Sequence, residues 1–170
     1  MAHARGGSRP TRSSRRRASI TVDIADRQRS LRVGRRWLER LVRRTLACEG
    51  IDAGEIAVVL VDDRRMAGLH DRWLGEKGPT DVITFDLSAG GPAGRLQGDI
   101  VVSTETAQRR SRDFGWTPRL ELAYYVIHGL LHLSGYDDRE PGDRRAMRLR
   151  ERAVMKAVGL PPPPRRRKDS

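Results

Sequence analysis

Cysteine is almost missing from this chain. Cys48 is the only one among 170 residues, which excludes an intramolecular disulfide and fits a reducing compartment. No apolar run approaches the roughly 18 residues that a membrane span requires, so a cytoplasmic protein without membrane contact is expected. The N-terminal stretch lacks the apolar segment of a secretory signal. Lysine is scarce: 3 Lys stand against 31 Arg, a ratio that a base-composition bias explains as readily as RNA binding does. Acidic residues are absent from residues 1–18, which carry +6, and residues 161–170 add +3, so only +3 of the net +12 belongs to the body. Tails of this kind attract a polyanion over long range and in a salt-dependent way, but they do not define a site. Residues 1–18 are expected to form a disordered basic tail. Residues 161–170 form a Pro/Arg-rich tail, and one domain over 19–160 is long enough to bury a core.

Within that domain the elements alternate. Ser19–Ile24 is β-branched and alternating, a first strand. Leu31, Trp37, Leu38, Leu41, Val42 and Leu46 recur at helical spacing between Ser30 and about Glu49. Glu55–Val61 reads as a buried strand. Asp62 or Asp63 then caps a helix carrying Met66, Leu69, Trp73 and Leu74, which Gly75 stops. Asp81–Leu87 is a third strand, Ser88–Gly94 a Gly/Pro-rich turn, and Asp99–Ser103 a fourth strand. Thr104 opens a polar helix to about Phe114. Thr117 and Pro118 open a helix that is apolar almost all round through Leu133, the pattern of a central, buried element. Pro141–Val158 is a last amphipathic helix, Arg-decorated on its outer side. These elements predict an α+β (mixed α/β) fold: a single small domain, with a sheet of about four strands and helices around a buried, metal-bearing helix.

Histidine is also rare, with four in the chain, yet His128 and His132 stand four residues apart in that apolar run. Positions i and i+4 share a helix face, so both imidazoles can reach one metal ion. Leaving them buried without partners would cost on the order of 1–3 kcal/mol each. Gly135 follows, the residue that most readily ends a helix in a left-handed turn. A reversal there swings Asp137 or Asp138 back toward the imidazoles, giving two nitrogens, a carboxylate and a coordination position left for water. Zn²⁺ held by three protein ligands lowers the pKa of such a water to roughly 7. A zincin-type metallopeptidase is disfavoured, because Gly129 follows His128 where that chemistry needs a Glu.

The segments His128–Asp137, Gly78–Phe85 and Gly98–Ser103 resemble, in order, the motifs of the bacterial rRNA-maturation endoribonuclease YbeY family, over about residues 20–158. The resemblance implies a zinc-dependent, single-strand-specific endoribonuclease with one Zn²⁺ per chain. It implies action in rRNA maturation, at the 3′ end of the small-subunit species, and in ribosome quality control. Its partners would be ribosomal RNA and pre-ribosomal particles. The implied metal ligands are His128, His132 and Asp138, which would act in catalysis through the water that the metal activates. Asp138 stands where the family usually has a third His, and Asp is itself a competent zinc ligand. Leu74, after Trp73, stands where the family carries an Arg for the phosphate. Arg72 is the weak catalytic candidate in its place, being roughly 200° around the helix; Arg139 and the tail arginines are the other cations. A zinc-stabilised assembly factor that cuts nothing is the alternative that Leu74 keeps open. His70, where the family usually has Asn, is expected at the surface or beside the ligands. Asp81 and Asp99 fit ordinary turn acceptors. The tryptophans could stack RNA bases, but Trp37 and Trp73 fit apolar helix faces and are expected to pack in the core.

Overall fold

Alternating Ile20–Asp26 forms β1, the outer strand of a four-stranded sheet, in a computed structural model that describes residues 19–89 and 95–163. The tail at 1–18, residues 164–170 and the 90–94 part of the Gly/Pro-rich turn lie outside the described residues. The remaining elements are α1 (Arg35–Cys48), β2 (Gly54–Val61), α2 (Asp63–Leu74), β3 (Val82–Asp86), β4 (Leu96–Ser103), α3 (Thr104–Asp113), α4 (Pro118–Leu133) and α5 (Pro141–Ala157). The sheet order is β1-β2-β4-β3, with β1, β2 and β4 parallel and β3 antiparallel along β4. This is the expected α+β domain, with an antiparallel strand at one edge of an otherwise parallel sheet.

Side-chain alternation divides the apolar residues between the two faces. Val22, Ile24, Ile56, Val58, Leu60, Ile100 and Val102 pack beneath α1, α4 and α5 in the main core. Val61, Ile83 and Val101 face the other way, against Met66 and Leu69 of α2. Burial around nearly the whole circumference of α4 explains its unbroken apolar sequence. Its Gly129 is required by close approach: a Cβ there would lie 3.0 Å from methyl groups of both Ile100 and Thr84. The helix therefore rests directly on β3 and β4, which sets the height of its neighbour His128.

Three expectations need correction. The first helix begins at Arg35, because Gln28 holds the preceding segment in a turn, its side chain bonding both N–H and C=O of Leu31 at 2.8 Å. Leu31 still packs on the core, so it mimics helical periodicity. The fourth strand begins at Leu96 rather than Asp99, since its ladder with β2 starts at the Gly54–Leu96 pair. Trp73 is not a core residue but 59% exposed, meeting Phe85 edge-on at 5.6 Å. It sits at the end of α2, beyond the Met66 and Leu69 stripe that reaches the sheet. Trp37 does pack against the core, with the Arg119 guanidinium 4.1 Å from its ring centre.

Asp62 caps α2, accepting from Arg65 N–H at 2.8 Å, while Asp63 ties α2 to α3. Its carboxylate accepts from the Ser103 hydroxyl, from Thr106 Oγ1 at 2.7 Å and from Arg109 Nη1 at 2.8 Å. Burial pushes the Asp63 carboxyl up, but bonds from Ser103, Arg109 and Thr106 outweigh it and hold its pKa below the ordinary value. The stability this contributes is present above the unfolded-state pKa and is lost as pH falls through the lower folded one. Asp63→Asn should thus cost about 1–2 kcal/mol at neutral pH. Thermal melts of the two proteins should converge below about pH 4; a gap that persists unchanged into acid would refute the ionic account.

Candidate metal centre

Thr117 accepts from Leu120 N–H at 3.3 Å and Pro118 occupies the first turn, so α4 starts where its sequence indicates. His128 and His132 project from one face of it, their rings nearly perpendicular at 87° and their Nε2 atoms 3.1 Å apart. Each Nδ1 is engaged elsewhere. His128 Nδ1 lies 2.7 Å from Glu151 Oε1, and His132 Nδ1 lies 3.0 Å from the Tyr136 carbonyl oxygen. A carboxylate and a carbonyl can only accept, so both Nδ1 atoms carry a proton, and each imidazole in its neutral form presents its lone pair at Nε2.

The chain reverses after His132 through a Schellman turn. Tyr136 N–H reaches Leu131 C=O at 3.0 Å and Gly135 N–H reaches His132 C=O at 3.0 Å, with Gly135 at φ 98°. Beyond this turn it is Asp138 that comes near the imidazoles. Asp138 carboxylate oxygens lie 3.8 Å from His132 Nε2 and 4.0 Å from His128 Nε2. Asp137 instead caps its own loop, accepting from the N–H of Asp138 at 2.7 Å and of Arg139 at 3.3 Å. Those backbone donors, Asp138 first, hold its carboxyl below the ordinary range.

The donor set fits a small divalent cation. One ligand atom from each of His128, His132 and Asp138 lies within 4.8 Å of the others. Ligands about 2.0–2.1 Å from a tetrahedral zinc stand about 3.3 Å apart, close to the 3.1 Å between the imidazole nitrogens. The surroundings also favour positive charge. Burial depresses the His128 pKa, but the Glu151 carboxylate, helped by Asp81 and Asp138, outweighs it and raises the imidazole above its ordinary value. Two facing lone pairs with carboxylates around them are satisfied by a cation, and imidazole with carboxylate is a donor set that zinc accepts.

Not every candidate converges here. Arg72 belongs to the helix on the opposite sheet face, where it lines a groove with Arg27, Arg65 and Leu69 and lies 5.7 Å over the Trp73 ring. Leu74 is exposed at the end of that helix. His70 closes the following loop: Nδ1 meets Gly78 C=O at 2.8 Å and Nε2 meets Glu76 at 3.2 Å. Asp81 accepts from Val82 N–H at 2.8 Å, the turn role expected of it, while its charge also reaches His128. Arg139, next to Asp138, extends into solvent with 87% of its side chain exposed. Sequence reasoning overlooked Glu151, read as part of an Arg-covered helix. A signal was present: Met147, Glu151, Val154, Met155 and Val158 share the buried stripe of α5 and its end, and the stripe contains one acid.

Comparisons with known proteins agree on one family. The family model for Endoribonuclease YbeY matches residues 21–159. A protein named Endoribonuclease YbeY from Anaeromyxobacter sp. (strain Fw109-5) is 39% identical over 141 residues, covering 83% of this chain and 73% of that protein. Another of the same name, from Anaeromyxobacter dehalogenans (strain 2CP-C), is 43% identical over 115 residues, 68% of this chain and 60% of its own length. A solution structure of a Thermotoga maritima protein superposes with a TM-score of 0.57 at 27% identity, covering 81% of this chain and 89% of that one.

Proposed function

We propose, from the premise that this chain belongs to the endoribonuclease YbeY family, that it cleaves single-stranded RNA with a zinc ion held by His128, His132 and Asp138. Membership makes the chain an endoribonuclease, a hydrolase of RNA phosphodiesters. The zinc, the preference for single strands and the target belong to the proposal and go beyond membership. That target is ribosomal RNA within pre-ribosomal particles, at the 3′ end of the small-subunit species, in maturation and quality control. We place the action in the cytoplasm, as an expectation carried from the family resemblance. Among the described residues no helix is long and apolar enough to cross a membrane.

The observation that carries this reading is the convergence of two Nε2 lone pairs and one carboxylate at the end of a buried helix. When bound, zinc would supply Lewis acidity toward a phosphate oxygen and a more acidic water at neutral pH. The chain's own residues do the rest. Glu151 and the Tyr136 carbonyl keep both imidazoles in the tautomer that leaves Nε2 free to ligate. Asp138 brings a negative charge that partly offsets the dication. Arg139, solvent-exposed beside Asp138, can extend a guanidinium to non-bridging phosphate oxygens.

The test is an incubation of zinc-loaded full chain with end-labelled RNA, single-stranded or annealed to its complement. Fragments are expected from the single strand alone, and none from His132→Ala. Arg139→Ala should lower kcat/KM roughly tenfold, the worth of one charge-assisted phosphate contact, while Arg72→Ala should change it less than about twofold. Cleavage undiminished in His132→Ala would sink the metal reading, and no cleavage by wild type would sink the nuclease reading. An Arg72→Ala effect exceeding that of Arg139→Ala would return the phosphate contact to α2.

A further inference from the structure

Helix α5 touches the metal centre at two points that no ligand pattern reveals. Glu151 is 2% exposed, yet both carboxylate oxygens are occupied: Oε1 accepts from His128 Nδ1 at 2.7 Å and Oε2 from the Tyr124 hydroxyl at 3.0 Å. Tyr124 precedes His128 by one turn of α4, so the carboxylate is held by the same helix face it serves. Arg144 stands seven positions before Glu151, about two turns along the same side of α5. Its Nη1 donates to the carbonyl of Asp138 at 3.0 Å and of Arg139 at 2.9 Å. One face of α5 thus grips both a helix-borne imidazole and the loop that returns the carboxylate.

We infer that Glu151 and Arg144 are the positioning residues of the metal centre, Glu151 locking His128 with Nε2 presented and Arg144 pinning the loop that delivers Asp138. The inference rests on the metal reading above. Glu151 is too buried to meet RNA, so it acts only through His128. Its carboxylate also makes that imidazole a better donor, because a strong acceptor at Nδ1–H pushes electron density toward Nε2. A buried acid serving only to fill space would be a poor choice, since an apolar residue of that size would pack in the same stripe without desolvating a charge. Arg144 solves a different problem. Asp138 lies six residues beyond His132 across a turn, and without a clamp on its carbonyls the loop would sample many orientations that point the carboxylate elsewhere.

The experiment measures the affinity of the full chain for Zn²⁺ alone, by competition with a chromogenic chelator, beside thermal melts of the metal-free proteins. Glu151→Gln keeps an acceptor and the shape but loses the charge, so its zinc dissociation constant should rise roughly tenfold; Glu151→Leu loses both, and roughly a hundredfold is expected. In the zinc-loaded wild type the His128 Nδ1–H should be a slowly exchanging proton by NMR, and Glu151→Leu should lose it. Arg144 is at an exposed position, so Arg144→Met should fold even if Glu151→Leu does not; its affinity should fall roughly tenfold, with partial rescue by Arg144→Lys. A purely structural role would lower the metal-free melting temperature and leave zinc affinity alone. Wild-type affinity in folded Glu151→Gln and Arg144→Met would overturn the inference while leaving the metal reading standing. A wild-type chain that binds no zinc would bring down both.

Discussion

His132→Ala is expected to empty the metal centre and to reduce RNA cleavage by at least about a thousandfold, the scale of losing a catalytic metal's transition-state stabilisation. Purified wild-type chain should hold one zinc, and the variant a small fraction of that. The fold should survive, because His132 borders solvent while its Leu130 and Leu131 neighbours carry the packing. Chelation supplies a second reading of the same site. An ion bound at a thousand times its dissociation constant stabilises the folded chain by about 4 kcal/mol. A chelator should therefore lower the melting temperature of wild type and leave His132→Ala unmoved. Equal zinc content in the two proteins, measured by elemental analysis, would show that the ion is held elsewhere.

The second large effect separates two adjacent aspartates. Asp138→Ala removes a ligand oxygen and should weaken zinc binding by about a hundredfold or more. Asp137→Ala removes the bonds to the N–H groups of Asp138 and Arg139 and an exposed ion pair with Arg139 Nε at 3.8 Å, none of them to the metal, so its affinity should fall less than about tenfold. Asp138→His should keep the ion, since an imidazole is an equally competent ligand. Parallel zinc titrations of the three variants decide the register of the turn. An emptied centre in Asp137→Ala would mean that the loop after Gly135 ligates one residue earlier. An unchanged affinity in Asp138→Ala would move the third ligand out of this loop altogether.

Much of the candidate metal site was legible in the chain because its parts are local. The interval from His128 to His132 is one helical turn, the Thr117–Pro118 start is a cap, and Gly135 adopts the positive φ that a left-handed helix end needs. None of these depends on a distant segment. The α+β class was legible for the same reason, since each strand and helix announces its own period. Errors fell where a local pattern met a tertiary fact. Trp73 continues the apolar spacing of α2, but that helix reaches the sheet only through Met66 and Leu69, and the indole is left in solvent. The place of Arg72 was equally hidden: it lines a groove on the other side of the sheet from the imidazoles.

By itself, then, the sequence determined the elements, the pair of same-face imidazoles and the turn that follows them, because backbone propensity and short-range geometry act within a few residues. Only the tertiary structure decided that β3 runs antiparallel at the edge beside β4, that the Asp138 carboxylate comes within 4.0 Å of both imidazoles, and that Glu151 and Arg144 of α5 bond to His128 and to the Asp138 carbonyl. Those are contacts between segments up to 23 residues apart for His128 and Glu151. Such pairs leave no periodic trace: a buried acid reads in sequence like any other charge on an Arg-rich helix until the chain folds and gives it an imidazole to hold.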